Sequence, residues 1–186
     1  MVHIKRRYVI SVLAPDRPGI VADVGAAIYE LGGNLEAVSQ TIAQGWFTMI
    51  LCAEFPAAVA VEQVKTAIEA VSTCQALVRP HAASDAAAPV LGEPYVVTAV
   101  GADKPGIVWR LARIFADKGI NIADVWNEVR DGQFVIIFHV TVPATVDARD
   151  MRYDLEHSGG ELGISVMVQH QDVFTATTSL SVHTRR

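Results

Sequence analysis

Hydrophobic positions along this chain follow first a strand-like and then a helix-like spacing, and this order occurs twice. Short apolar runs rich in β-branched residues, Tyr8–Leu13 and Tyr95–Val100, predict the opening strand of each copy. Apolar residues three or four positions apart follow each run and predict an amphipathic helix. This apolar stripe comprises Ile20, Val21, Val24, Ala27, Ile28 and Leu31 in the first copy and Ile107, Val108, Leu111, Ile114 and Phe115 in the second.

Turn residues separate the remaining predicted elements. Prolines suit the first turn of each first helix and glycines suit its end: Pro18 and Gly32 in the first copy, Pro105 and Gly119 in the second. Hairpin turns are predicted at Gly45 and at Asp131-Gly132. The second and third strands are predicted at Asn34–Thr41, Phe47–Phe55, Asn121–Val129 and Phe134–Val142. A second helix carries Val61, Val64, Ile68 and Val71, its weaker counterpart at Val146–His157 is expected to end at Gly159-Gly160, and the last strands are Ala76–His81 and Gly163–His170.

The two copies align without a gap at an offset of 87 residues, Tyr8–Pro56 on Tyr95–Pro143, with 14 of 49 residues identical. The identities include turn residues, since Asp16-Arg-Pro-Gly-Ile-Val21 matches Asp103-Lys-Pro-Gly-Ile-Val108. The chain is therefore two copies of one supersecondary unit.

The order strand-helix-strand-strand-helix-strand builds a ferredoxin-like (βαββαβ) domain of the α+β class, an antiparallel four-stranded sheet with two helices on one face. We expect domain 1 at residues 1–81, an Ala/Pro-rich linker at 82–94, domain 2 at 95–171 and a C-terminal tail at 172–186. The tail either docks through Phe174 and Leu180 or is frayed.

Several strands are apolar at nearly every position, including Val9–Leu13, Met49–Ala53 and Val135–Phe138. An antiparallel sheet with one wet face normally alternates apolar and polar residues. We therefore expect the second face to be covered by domain pairing, within the chain or with a second copy.

Composition excludes some classes of function. The net charge of −5 disfavours direct contact with nucleic acid. The two cysteines, Cys52 and Cys74, do not form a disulfide framework. No apolar stretch has the length of a membrane span, and no signal peptide is recognised. We therefore expect a cytoplasmic setting. The six histidines have no metal-ligand spacing, and no catalytic or cofactor motif is found, so we expect neither an enzyme nor a cofactor.

The turn Asp16-Arg17-Pro18-Gly19 is the best candidate site, with its equivalent at Asp103–Gly106. Backbone N–H groups at a helix start and the helix dipole attract a carboxylate. Glycine allows close approach of a ligand, and Asp16 can receive its ammonium group. The alternative, that Asp16 is only a cap or turn residue and Asn34 only a turn residue, stays open.

These motifs resemble an ACT domain: a strand, Asp-Arg-Pro-Gly-Ile-Val, an amphipathic helix, Gly-Gly-Asn-Leu and a hairpin ending in proline. Two such domains, with Val168-Gln-His-Gln-Asp-Val-Phe174 near the end, resemble the glycine cleavage system transcriptional repressor family over about Arg7–Leu180. The resemblance implies an amino-acid effector bound at domain interfaces and action through a DNA-binding protein partner. The ligand-facing residues it implies are Asp16, Pro18, Gly19, Ile20 and Asn34, with Asp103, Pro105, Gly106, Ile107 and Asn121 in the second copy.

Three functions remain as hypotheses. The first is a non-catalytic regulator, expected to be a homodimer, which binds glycine or serine and controls transcription through a protein partner. The second is a regulatory subunit of a metabolic enzyme. The third is an RNA-binding module, which would need exposed aromatic residues such as Tyr8 and Phe134 on the sheet. Because Trp109-Arg110 replaces Ala22-Asp23, one copy alone is expected to retain a ligand.

Overall fold

The computed structural model describes residues 5–71, 73–81, 91–130 and 132–183, which form two compact units, 1–87 and 88–186. Both sheets are four-stranded and antiparallel, with the orders β2-β3-β1-β4 and β6-β7-β5-β8. The predicted α+β class and βαββαβ order are confirmed. The first unit contains β1 (Lys5–Pro15), α1 (Ile20–Glu30), β2 (Asn34–Ala43), β3 (Trp46–Pro56), α2 (Val61–Val71) and β4 (Gln75–Pro80). The second contains β5 (Glu93–Ala102), α3 (Ile107–Asp117), β6 (Asn121–Arg130), β7 (Gln133–Val142), α4 (Ala148–Leu162), β8 (Ile164–His170) and α5 (Gln171–His183).

Alternate residues of the strands form the core of each unit. Tyr8, Ile10 and Val12 of β1 are buried against the apolar stripe of α1, which includes Val24 and Ile28. We call this side the inner face. The opposite side, the outer face, also carries apolar residues on the central strands of both units, as the strand composition predicts. It includes Val9, Ser11, Leu13, Thr48, Ile50, Cys52 and Leu77 in the first unit and Val96, Thr98, Val100, Val135, Ile137, His139 and Met167 in the second.

The first helices begin two residues later than their prolines predict. Gly19 and Gly106 are the N-caps, with left-handed φ values of 94° and 90°. Pro18 and Pro105 therefore precede the helices, and the prediction that they occupy the first helical turn is wrong. Only glycine adopts this backbone conformation without strain, so it fixes the helix start.

The glycine at the end of the first helix has the predicted role. Gly32 has a φ of 71°, and the N–H of Gly33 donates to the Ile28 carbonyl at 2.9 Å. This is the hydrogen bond of a Schellman motif, which ends a helix at a left-handed glycine.

The prediction that α4 ends at Gly159-Gly160 is wrong, since the helix continues to Leu162 and Gly163 caps it. β5 begins at Glu93, inside the predicted linker, and most of the predicted tail is helix α5. Residues 82–90 of the linker, Asp131 of the second hairpin turn and the side chain of Leu180 lie outside the described residues.

Candidate functional site

The Asp16–Gly19 turn lies beside the β2–β3 hairpin. The N–H of Asp16 donates to the Gly45 carbonyl at 2.8 Å, which joins the two turns at one end of the sheet. Gln44 and Gly45 have φ values of 51° and 78°, the positive values that a tight primed hairpin turn requires. The sequence thus folds two turns against each other, and the side chain of Asp16 is exposed next to them.

The start of α1 provides hydrogen-bond donors. The first intrahelical bond runs from the Asp23 N–H to the Gly19 carbonyl at 2.9 Å. The N–H groups of Ile20, Val21 and Ala22 therefore have no acceptor within the helix. Gly19 offers no side-chain cap, so the alternative that Asp16 caps the helix is wrong, whereas its role in the turn remains.

The residues that carry these donors line a cavity of about 520 Å³, which we call the β2–α1 groove. The groove exists because α1 leaves the inner face of the edge strand uncovered. Val38 and Ile42 of β2 lie on the same face as the buried Leu51 and Phe47, yet they are 51% and 53% exposed. The groove is lined by Asp16, Arg17, Gly19, Ile20, Val21, Ala22, Gln40, Ile42 and Phe47.

Two polar residues of the groove were not among the predicted ligand residues. Gln40 lies opposite the buried Met49 and is the polar residue between Val38 and Ile42 on the inner face. A polar residue within this apolar alternation is the sequence feature that could have identified Gln40 as a groove residue. Arg17 curls over its own turn, donating to the Pro18 carbonyl at 3.1 Å and to the Asp23 carboxylate at 2.6 Å.

The structure does not bring all the predicted ligand residues together within one unit. Asp16, Gly19 and Ile20 line the groove, and Pro18 lies in the turn without lining it. Asn34 begins β2 and pairs with Glu54, at the opposite end of the strand from Ile42. Eight residue steps of about 3.4 Å place Asn34 about 27 Å from the groove end of its own strand.

The second unit repeats this turn but ties it down differently. Gly106 repeats the N-cap, and the Arg110 N–H makes the first helical bond to its carbonyl at 2.9 Å. Lys104 donates to the Leu162 carbonyl at 2.8 Å, and Arg110 forms an ion pair with Glu161, so both cations anchor the turn to the end of α4.

The other predicted ligand residues of the second unit follow the pattern of the first. Asp103 and Pro105 occupy the turn, and Ile107 opens α3 as a buried residue. Asn121 pairs with Thr141 at the far end of β6. Trp109, 69% exposed, stands where the first unit has alanine.

Neither aromatic residue named for RNA binding is exposed on a sheet. Tyr8 and Phe134 are 2% and 3% exposed and belong to the two cores. They cannot stack on bases as the RNA-binding hypothesis requires.

Within the part of the chain that the structure describes, no helix has the length and hydropathy to span a membrane. The same residues contain no group of three or more His, Cys, Asp or Glu side chains arranged to hold a metal ion.

Comparisons with known proteins match both halves of the chain. Residues 8–69 and residues 93–169 each match an ACT domain family. UPF0237 protein MJ1558 from Methanocaldococcus jannaschii is 38% identical over 80 residues, which are 42% of this chain and 89% of that protein. That relative is therefore about half as long as this chain.

Two solved structures share the fold over nearly the whole chain. An unknown protein from Galdieria sulphuraria has a TM-score of 0.74 at 24% identity, covering 90% of this chain and 99% of its own. A proposed glycine cleavage system transcriptional repressor has a TM-score of 0.64 at 16% identity, covering 89% and 97%. At these identities the likeness concerns the fold alone.

Proposed function

Because the chain belongs to the ACT domain family, with one domain in each half, we propose that it is a regulator that binds a small amino acid and acts on a protein partner. ACT domains are regulatory modules, and the proposed output is the transcription of genes for amino-acid metabolism. The observation that carries the proposal is the β2–α1 groove, which combines backbone donors and a carboxylate at one helix start.

The groove has the two charges that a zwitterion needs. The N–H groups of Ile20, Val21 and Ala22, with the positive end of the α1 dipole, suit the ligand's carboxylate. The exposed carboxylate of Asp16 suits its ammonium group, and the amide of Gln40 can both donate and accept. We propose glycine or serine as the effector because a protein with the same fold is a proposed repressor of the glycine cleavage system.

A second copy of the chain would complete this site. The groove is open along β2, and Asn34 lies at the far end of that strand. Antiparallel pairing of β2 with the β2 strand of a second copy would place its Asn34 alongside Ile42, at the groove end of the first copy's β2. We therefore propose a homodimer whose seam holds the effector.

The first domain is the proposed sensor. Its groove faces small Ala22, whereas the second domain presents Trp109 at that position and uses Lys104 and Arg110 to anchor its turn. A turn that is fixed to α4 has less freedom to close on a ligand. One effector per chain is expected.

The proposed partner is a DNA-binding transcription regulator. The net charge of −5 argues against direct contact of this chain with DNA, where phosphate neutralisation supplies much of the affinity. We place its action in the reducing cytoplasm, where the thiols of Cys52 and Cys74 would stay reduced. If the effector-loaded chain captured a metabolic enzyme instead, the hypothesis of an enzyme's regulatory subunit would be favoured.

A thermal-shift screen of the amino acids, followed by titration calorimetry, tests effector binding. A ligand at ~100 times its Kd stabilises the folded state by ~2.7 kcal/mol, which is readily measured. Gly19→Ala should lower affinity by about tenfold, because a side chain at a φ of 94° costs about 1–2 kcal/mol and displaces the donors.

Gly106→Ala is the matched control for this experiment. It introduces the same backbone strain at a φ of 90° in the second domain and should leave affinity unchanged. Equal loss of affinity in the two variants would contradict the proposal that the first domain alone is the sensor. If no amino acid bound the unaltered protein, the proposed function would fail.

A further inference from the structure

The outer faces of the two domains are equivalent, but that of the second domain is covered at Val96. Val96 of β5 lies on the outer face and is only 1% exposed. Its equivalent in the first domain, Val9, is half-buried. The difference arises from α5, which packs on β5 and β8.

An aromatic contact and a short turn attach α5 to the sheet. The ring of Phe174 meets His139 of β7 edge to face, with the ring centroids 6.3 Å apart. At the base of the helix, the Asp172 N–H donates to His170 Nδ1 at 3.3 Å, and the Tyr95 ring packs against His170.

The other described side chains of α5, within residues 171–178, are exposed. Among residues 171–178, whose side chains the structure describes, Phe174 is the one side chain that is not exposed. Thr177 and Thr178 turn their hydroxyl groups back to the Phe174 carbonyl, a local bond that weakens helices. No residue of α5 within 171–178 belongs to the buried core cluster of the domain.

We propose that α5 is a detachable strap on the outer face of the second domain, which opens while the sheet stays folded and thereby uncovers Val96. Segments with few buried contacts open locally at lower free energy than the core that carries them. The sheet beneath keeps its own hydrogen bonds and core when the strap leaves. Opening gives the second domain the bare outer face that the first domain has.

Thiol labelling measures this opening directly. Val96→Cys is placed in a chain carrying Cys52→Ser and Cys74→Ser, and its reaction with a disulfide reagent such as dithionitrobenzoate is followed under native conditions. The introduced thiol should react completely, but more slowly than one introduced by Val9→Cys in the same background. Loss of the aromatic anchor in Phe174→Ala should speed the reaction by about tenfold.

Val173→Ala is the control on the same helix, since Val173 is 52% exposed, and it should leave the rate unchanged. A rate equal to global unfolding, or one that Phe174→Ala does not alter, would overturn the proposal. So would labelling of Val96→Cys as fast as that of Val9→Cys, because the strap would then not close. A thermal melt of each variant separates local opening from a general loss of stability.

Discussion

Glycines in the first domain have different surroundings, and these decide what an added methyl group does. A Cβ built on Gly33 would lie 2.5 Å from Phe55 Cε1 and 2.7 Å from Ile28 Cγ2. A Cβ on Gly25, inside α1, would meet nothing within 4 Å. Gly33 therefore lets the chain pass close to the core after the helix ends, whereas Gly25 is not needed for packing.

We predict opposite effects of alanine at these two positions. Gly33→Ala should destabilise the first domain by about 1–3 kcal/mol, because the core must shift to admit the methyl group. Gly25→Ala should stabilise it by about 0.5–1 kcal/mol, because alanine favours the helix. Urea unfolding gives both values. A neutral Gly33→Ala would mean that Phe55 and Ile28 move aside without cost.

At this scale the sequence identified the turn but not the whole groove. The paired Asp-x-Pro-Gly motif led to Asp16 and Gly19, because turn chemistry is local. Gln40 was missed as a groove residue. Its place in the groove depends on how far α1 leaves β2 uncovered, and local spacing does not show how widely a helix covers a sheet.

Among the elements, α4 shows how packing overrides a local signal. Two adjacent glycines favour a helix end, yet the helix passes through Gly159 and Gly160 to Leu162. A Cβ on Gly159 would lie 2.5 Å from Val166 Cγ2, whereas one on Gly160 meets nothing within 4 Å. Gly159 thus allows α4 to approach β8 closely, and Gly163 is the residue that ends the helix.

Alanine substitutions in α4 test this reading of its glycines. Gly159→Ala should destabilise the second domain by about 1–3 kcal/mol through overpacking against Val166. Gly160→Ala should stabilise it by about 0.5–1 kcal/mol through helix propensity. Calorimetric unfolding of the two variants checks the difference. Similar shifts in both would show that α4 can tilt away from β8.

The order of the elements was predictable because periodicity and turn residues agree in both copies. The first helix of each domain begins two residues after the predicted position, because a left-handed glycine, and not the proline before it, determines where the helix begins. Helix α5 was not predicted. Its Thr-rich sequence has weak helix propensity and no apolar stripe, and Phe174 docks on an outer face that only the folded sheet creates.

At the scale of the whole molecule, the repeat supplies an internal comparison that each half alone lacks. The two domains keep the same turn and the same exposed apolar residues on their edge strands, Val38 and Ile42 in one, Val125 and Val129 in the other. They differ in the charges around the turn and in the strap α5. The duplication is visible in the sequence, whereas the contacts by which one domain differs from the other are visible only in the folded structure.

Mixed dimers test whether two chains share each groove, and they use two variants with different defects. In the proposed dimer, Gly19→Ala damages the turn of its own groove, and Asn34→Ala damages the groove of the other chain. Homodimers of either variant should therefore bind the effector weakly. In a mixed dimer, one groove has an intact turn and an intact Asn34, so random exchange restores about a quarter of the grooves. Calorimetric titration before and after mixing measures the recovery.

Mixing Gly19→Ala with Asp16→Asn is the matched control, because both changes damage the turn and every groove keeps a defect. Binding should return for the first mixture and not for the second. If neither mixture recovers while both remain dimeric, Asn34 does not cross the seam, and its position about 27 Å along β2 then excludes it from the groove. Recovery in both mixtures would mean that the turn does not hold the effector. The evidence for a shared site is therefore the difference in effector binding between two mixtures that have the same oligomeric state.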